Sequence, residues 1–128
     1  MEQPDVREFV NYRIEKAEEV YRAAEILYDA EQWNSAVNRL YYACFYVASA
    51  LLLDQGYGAK SHAGVLAKFS EIVVRTGQIS ADTFRVYSKL LNWRTKSDYG
   101  DMFDFCKEDL DGVMTAARVF IDSTKSLL

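Results

Sequence analysis

The pattern of apolar positions is densest in residues 38–53, NRLYYACFYVASALLL, where apolar side chains lie on more sides than one face of a surface helix requires. One stripe has the spacing of a buried helix face: Val37, Leu40, Tyr41, Cys44, Val47, Ala48 and Leu51. A second stripe is aromatic and polar: Ser35, Arg39, Tyr42, Tyr46 and Ser49. Because no charge stands between Arg39 and Asp54, we predict a buried central helix, starting near Gln32 or Asn34, whose second stripe meets a partner.

Helical spacing continues on both sides of this segment. Asp5 is a suitable N-cap for a first helix that ends at about Asp29. Its apolar positions are Val6, Val10, Ile14, Ala17, Tyr21, Ala24 and Tyr28. After the loop 54–60, Ser61 is an N-cap for a shorter third helix that Gly77 ends. The face of that helix carries His62, Val65, Leu66, Phe69, Ile72 and Val73.

The C-terminal third of the chain predicts two more long helices. Ser80 caps a fourth helix, which Gly100 ends, and Asp101 opens a fifth. The fifth has an apolar stripe of Phe103, Cys106, Leu110, Val113, Ala117 and Phe120. The fourth has a stripe of Phe84, Tyr87, Leu91, Arg94 and Asp98. This stripe places two charged residues, Arg94 and Asp98, on the side where the pattern predicts buried or groove-facing groups.

These elements predict an all-α fold, without strand-like alternation or an internal repeat. We expect one domain, residues 1–128, built as an antiparallel, up-and-down bundle of four long helices plus a short one. A chain of 128 residues is long enough to form such a core without disulfides.

Composition limits the kind of partner. With 15 basic and 19 acidic side chains the net charge is -4, so the surface as a whole should repel phosphate backbones, and no DNA partner is expected. A nucleic-acid site must therefore be a local basic patch. Apolar runs fall short of the roughly 20 residues that span a bilayer, and the N-terminal segment has no signal-peptide core, so we expect a cytoplasmic protein without a membrane partner.

The sequence gives little support for a metal site or for covalent catalysis. Cys44 and Cys106 lie far apart in apolar patterns and are interpreted as buried free thiols, with no metal or cofactor expected. His62 is the only histidine, and it is interpreted either as a hydrogen-bonded core residue or, less favourably, as a catalytic group. There is no second base for a catalytic triad.

Three groups of polar residues are candidates for binding. Arg94 and Asp98 are either a structural ion pair or a cleft in which Arg94 binds phosphate. Lys60 and His62, at the start of the third helix, either accompany ordinary capping or hold an anion; the Walker spacing of glycines is absent. The stripe with Arg39, Tyr42 and Tyr46 either stacks bases or, as we favour, packs across a dimer.

Three segments, NRLYYACFYVASALLL, KSHAGVLAKF and LLNWRTKSDYG, in that order and spacing, resemble the HEPN domain family (higher eukaryotes and prokaryotes nucleotide-binding) over nearly the whole chain. Among its branches, they look most like small stand-alone prokaryotic proteins. The resemblance implies an antiparallel helical bundle, usually homodimeric. It also implies a link to toxin-antitoxin or defence systems in which the partner is often a minimal nucleotidyltransferase.

Many members of that family are metal-independent ribonucleases with an Arg followed after four to six residues by a His, assembled at a dimer cleft. The resemblance maps this Arg to Arg94, but the usual position of the His is occupied by Tyr99. Asp98 and Tyr99 match an Arg-to-Asp-Tyr variant of the branch, and Arg39, Tyr42 and His62 match its other recurring positions. Tyrosine is a poor base at neutral pH.

The sequence therefore supports two hypotheses. In the first, a toxin-antitoxin component binds RNA or a nucleotide phosphate in a cleft lined by Arg39, Tyr42, Lys60, His62, Arg94, Asp98 and Tyr99. If this protein is a ribonuclease, His62 is the base and Arg94 stabilises the phosphate, which requires that folding bring them together. In the second, the same residues form a buried network in a non-catalytic module that dimerises or binds a nucleotidyltransferase.

Overall fold

The computed structural model describes the backbone of residues 5–99 and 104–128. Side chains are described at all of these positions except 96–99. Five α-helices follow one another: α1 (Val6–Asp29), α2 (Trp33–Asp54), α3 (His62–Phe69), α4 (Ala81–Tyr99) and α5 (Lys107–Lys125). A π-helical segment, Ser70–Val74, continues α3. No strand occurs in the described ranges, which confirms the predicted all-α bundle of four long helices and a short third one.

Helix α2 is the centre of the bundle, as its apolar pattern predicts. It contacts all four other α-helices, and its core stripe from Val37 to Leu51 is buried. By length and composition α2 is apolar enough to cross a membrane, which differs from the expectation that the apolar runs are too short. However, 61% of its most apolar stretch is buried inside the bundle. We therefore interpret its apolar character as that of a core helix.

Contacts between helix ends show that α1 and α2 are antiparallel. Arg7, at the start of α1, forms an ion pair of 3.1 Å with Asp54 at the end of α2. At the opposite end, the rings of Tyr28 and Trp33 lie 5.3 Å apart. The short connection between α1 and α2 therefore reverses the chain direction.

The predicted N-caps are confirmed. The Asp5 carboxylate accepts a hydrogen bond from the backbone N–H of Arg7, at 3.1 Å. The Ser61 hydroxyl accepts one from Gly64 at 2.9 Å, and the Ser80 hydroxyl one from Thr83 at 3.1 Å. These bonds satisfy N–H groups that have no partner within the helix, and they fix where α1, α3 and α4 begin.

The predicted start of the last helix is wrong. Helix α5 begins at Lys107 rather than at Asp101, and Cys106 is its N-cap. Asp109 accepts hydrogen bonds from the backbone N–H and the thiol of Cys106, at 2.9 and 3.3 Å. Cys106 is exposed, which corrects the interpretation that both thiols are buried; Cys44 is buried as predicted. The predicted helix residues Gly100, Asp101 and Phe103 lie outside the described residues.

Two smaller differences concern the first and third helices. Val6 belongs to the predicted buried stripe of α1 but is 51% exposed, because it lies in the first turn, ahead of Val10, where the packed face of the helix begins. The apolar pattern does not predict the π-helical segment, in which the N–H of Arg75 bonds to the carbonyl of Ser70 at 2.9 Å. Gly77 follows with φ +85°, a conformation that glycine adopts without strain.

Candidate anion-binding site

Side chains from three helices meet around two adjacent tyrosines of α2. The guanidinium carbon of Arg94, on α4, lies 5.3 Å from the ring centroid of Tyr41 and 5.3 Å from that of Tyr42. The guanidinium carbon of Arg39, one turn earlier on α2, lies 5.2 Å from the ring of Tyr42. His62, the first residue of α3, completes the group. We call these five residues the basic cluster.

His62 is held in place by one hydrogen bond and by aromatic rings. Its Nδ1 atom lies 2.7 Å from the hydroxyl oxygen of Tyr41. Its ring centroid lies 4.5 Å from that of Phe45 and 5.7 Å from that of Tyr42, which it meets edge to face. Because the Ser61 cap fixes the start of α3, the orientation of the imidazole is defined from both its backbone and its side chain.

The electrostatic environment keeps His62 neutral. Burial lowers the pKa of His62, and the positive charge of Arg94 lowers it further. Since the ordinary histidine pKa is already below 7, the neutral imidazole predominates at physiological pH. Burial also raises the pKa of the Tyr41 hydroxyl, so Tyr41 keeps its proton.

The cluster lies at the protein surface. Arg39, Tyr42, His62 and Arg94 are all partly exposed, whereas Tyr41 beneath them is buried. Arg39 is oriented by its neighbour Asn38, whose side-chain oxygen accepts from its Nε and Nη2 atoms at 3.2 and 2.6 Å. The arrangement combines positive charge with aromatic faces, the two features by which proteins hold phosphates and bases of single-stranded nucleic acid.

The structure thus brings together four of the residues that the sequence suggested: Arg39, Tyr42, His62 and Arg94. Lys60 does not join them; it is exposed in the loop before α3, and no contact with the cluster is found in the described part of the chain. The side chains of Asp98 and Tyr99 lie outside the described residues, so their roles, including a pair of Asp98 with Arg94, stay predictions.

Sequence analysis missed Tyr41 and Phe45 as parts of this site. Tyr41 has the helical spacing of a core residue, and it is indeed fully buried. The hydroxyl of Tyr41 could have indicated its role in the site, because a buried tyrosine usually forms a hydrogen bond with a neighbouring polar group. For metals, no group of three or more His, Cys, Asp or Glu side chains within residues 5–95 and 104–128 is arranged to hold an ion.

Comparisons with known proteins agree on one family. The profile of the HEPN domain matches residues 10–127. A UPF0332 protein of Thermotoga maritima is 35% identical over 93% of this chain and 90% of its own length. Two proteins of Methanocaldococcus jannaschii carry the names "Putative toxin MJ0605" and "Putative toxin MJ0142". The first is 37% identical over 97% of this chain and 92% of its own, the second 34% identical over 90% and 78%.

Among solved structures, the crystal structure of TT1696 from Thermus thermophilus has a similar fold. The TM-score is 0.79, and the match covers 93% of this chain and 98% of the other. Sequence identity is 14%, so this likeness concerns the helical fold alone.

Proposed function

Since the chain belongs to the HEPN domain family, we propose that it is a toxin-type member of that family which binds RNA by its phosphates at the basic cluster. The observation that carries this proposal is the convergence of Arg39, His62 and Arg94 on the rings of Tyr41 and Tyr42. The toxin part of the proposal is supported by the names of two relatives that match most of the chain.

The charge of the protein makes this convergence informative. A chain with net charge -4 repels nucleic acid over most of its surface, so a phosphate ligand needs a place where positive groups are concentrated. Arginine suits this role because its planar donors match two phosphate oxygens at once. Tyr42, partly exposed between Arg39 and Arg94, offers a ring face to an unstacked base.

RNA cleavage would require two further functions at the same place. A metal-independent ribonuclease needs a group that takes the proton of the ribose 2′-OH and a cation that stabilises the crowded phosphate. Arg94 fits the second function. Cleavage of the labelled RNA is therefore measured alongside its binding. EDTA is present so that contaminating metal-dependent nucleases are inactive.

The direct test is the affinity for a fluorescently labelled single-stranded RNA, measured by anisotropy for wild type, Arg94→Ala and Arg85→Ala. Arg85 is the matched control because it lies on the same helix, is 73% exposed and pairs with Asp82 at 2.8 Å. Losing charged hydrogen bonds to a phosphate should weaken binding by roughly 10- to 100-fold in Arg94→Ala. Arg85→Ala should bind like wild type. Equal affinities of all three proteins would remove the proposed site.

Salt dependence separates a phosphate contact from loss of structure. For single-stranded nucleic acid the slope of log affinity against log salt is about -0.7 per neutralised phosphate. Arg94→Ala should therefore reduce the magnitude of the slope by about 0.7 if one contact is lost. An unchanged slope with lower affinity would show that Arg94 acts on structure and does not contact phosphate.

Toxicity is tested in cells. Induced expression of the wild type should arrest growth, and Arg94→Ala should relieve the arrest at equal protein level. The partner implied by the family resemblance, a minimal nucleotidyltransferase, belongs to this proposal: co-expression of one encoded beside the gene should restore growth, and the two proteins should copurify. Growth that is unaffected by the wild-type protein would contradict the toxin assignment.

A second candidate function, a non-catalytic interaction module, is favoured by a separate observation. Phe9 and Tyr12 on α1 are 46% and 61% exposed, and Tyr46 on the aromatic stripe of α2 is partly exposed. Such rings are enriched at protein interfaces. Light scattering after size exclusion should show a homodimer that Tyr46→Arg weakens; a dimer without RNA affinity or toxicity would support the module over the RNA-binding function.

A further inference from the structure

The hydrogen bond between Tyr41 and His62 has a direction that can be deduced from the surroundings of the hydroxyl. The Tyr41 side chain is fully buried, and within the described part of the chain its hydroxyl has one hydrogen-bond partner, the Nδ1 atom of His62 at 2.7 Å. A phenol carries one proton to donate, and an imidazole nitrogen either donates or accepts according to the tautomer.

Only one of the two directions satisfies the phenol. If Nδ1 carried the proton and donated to the hydroxyl oxygen, the proton of Tyr41 would be buried with no acceptor, an arrangement that folded proteins avoid. If Tyr41 donates to Nδ1, both groups are satisfied. The proton of the neutral imidazole then has to be on Nε2.

We infer that Tyr41 is a positioning residue that fixes His62 as the Nε2–H tautomer, so that His62 enters the site as a hydrogen-bond donor to a phosphate oxygen and not as a proton acceptor. This inference rests on the proposed RNA-binding function for its ligand, but the tautomer is a property of the free protein. It replaces the hypothesis that His62 is the base of a ribonuclease.

The geometry of the ring supports the donor role. The Nδ1 edge faces buried Tyr41, and Nε2 lies on the far side of the imidazole, while His62 as a whole is partly exposed. Among the described side chains, the charged groups of the cluster are Arg94 from α4 and Arg39 from α2, and both carry only donors. These described side chains present N–H donors, which suit a phosphate.

Nuclear magnetic resonance tests the tautomer directly. The chain contains a single histidine, so the ring nitrogens of ¹⁵N-labelled protein are assigned without ambiguity. Long-range ¹H–¹⁵N spectra at neutral pH should show Nε2 protonated and Nδ1 bare. In Tyr41→Phe the Nδ1 resonance should move toward that of a nitrogen with no hydrogen bond. A protonated Nδ1 in the wild type, or an Nδ1 signal unchanged in Tyr41→Phe, would overturn the inference.

Affinity for the same labelled RNA tests the donor role. His62→Gln keeps an amide oxygen that can accept from Tyr41 and an N–H that can donate, but glutamine cannot act as a base. It should bind within about 3-fold of wild type, whereas His62→Ala, which loses a donor to a charged group, should bind roughly 10-fold more weakly. Equal losses in the two variants would contradict the donor role.

The two proposals fail separately. If the wild type does not bind RNA, the proposed function is lost, and the nitrogen spectra of the free protein still decide whether Tyr41 sets the tautomer. If RNA binds with the expected dependence on Arg94 but the spectra show Nδ1 protonated, only the role of Tyr41 and His62 is wrong. Circular dichroism of each variant confirms that the bundle is folded.

Discussion

Arg118 and Arg94 both lie over tyrosine rings, yet their surroundings differ. Arg118 on α5 lies 4.8 Å from the ring centroid of Tyr21 and binds Glu18 of α1 through both terminal nitrogens, at 2.6 and 2.9 Å. It also donates to Asp122 at 2.6 Å. Arg94 on α4 lies over Tyr41 and Tyr42, which also contact Arg39 and His62.

The difference distinguishes a structural arginine from the arginine that we propose binds RNA. Around Arg118, acidic groups from α1 and α5 compensate the charge, and the bonds tie the two helices together. Among the described side chains of the basic cluster, the two guanidiniums of Arg39 and Arg94 lie near the same Tyr42 ring. The pKa of His62 is lowered by burial and then by the charge of Arg94. Two positive charges held this close together favour the binding of an anion.

The largest expected effect comes from removing the structural guanidinium while keeping its aliphatic stem. Arg118→Met leaves Glu18, which is 30% exposed, without its bidentate partner. We expect the free energy of unfolding to fall by about 2 kcal/mol, between the values for exposed and fully buried ion pairs. Urea unfolding followed by circular dichroism measures this.

The matched variant Arg94→Met should weaken RNA binding and leave the ion pairs of Arg118 intact. Arg118→Met in turn should bind RNA as wild type does under conditions in which it is folded. If Arg118→Met lost RNA affinity as strongly as Arg94→Met, the division into a structural and a binding arginine would be wrong.

Two buried tyrosines allow a similar contrast within the core. The hydroxyl of Tyr87 is buried with no hydrogen-bond partner among the described residues, whereas that of Tyr41 bonds to His62. Tyr87→Phe should therefore raise the free energy of unfolding by about 1 kcal/mol, and Tyr41→Phe should lower it by about 1 kcal/mol. Thermal unfolding of the two variants checks the signs; a destabilised Tyr87→Phe would indicate an internal water or partner at that hydroxyl.

Local signals in the sequence were enough to predict most of the helices. Apolar spacing and the capping residues Asp5, Ser61 and Ser80 act within a few residues of one another, so they can be recognised without the fold. The exception is instructive. The apolar stripe continued back through Phe103 and Cys106, but the cap at Cys106 starts α5 at Lys107, so a local hydrogen bond overrides the periodicity.

The site could be predicted only in part, because it depends on contacts between distant segments. Arg94 and His62 could each be selected as polar residues on apolar stripes, but nothing in their spacing shows that α3 and α4 bring them to the same tyrosines. The role of Tyr41 was hidden for another reason. Its spacing describes where the ring lies, whereas its function depends on the direction in which one proton is donated.

A smaller effect is expected from the acid dependence of Glu18. Hydrogen bonds from Arg118 hold the pKa of Glu18 at about 2, below its ordinary value of 4.5. Because the folded-state pKa is lowered, the stabilisation is complete above the unfolded pKa and is lost as the pH falls from about 4.5 through about 2. Since Glu18 is partly exposed, solvent screening limits the contribution to about 1 kcal/mol or less.

Glu18→Gln makes this measurable. The difference in unfolding free energy between wild type and variant should be largest near neutral pH and should shrink as the pH approaches about 2. Urea titrations at several pH values measure it. A difference that stays constant over the acid range would mean that the charge of Glu18 contributes nothing and that only its hydrogen bonds matter.

The smallest effect should come from an arginine that belongs to neither group. Arg85 and Asp82 form an i,i+3 pair on the outer face of α4, with side chains 73% and 84% exposed. Solvent and salt screen such a pair, so Arg85→Ala should change the free energy of unfolding by less than about 0.5 kcal/mol. RNA affinity should not change either, although the same charge is removed from the same helix as in Arg94→Ala. If Arg85→Ala weakened RNA binding as much as Arg94→Ala does, net charge alone would explain the affinity, and the geometry around Tyr41 and Tyr42 would not be needed.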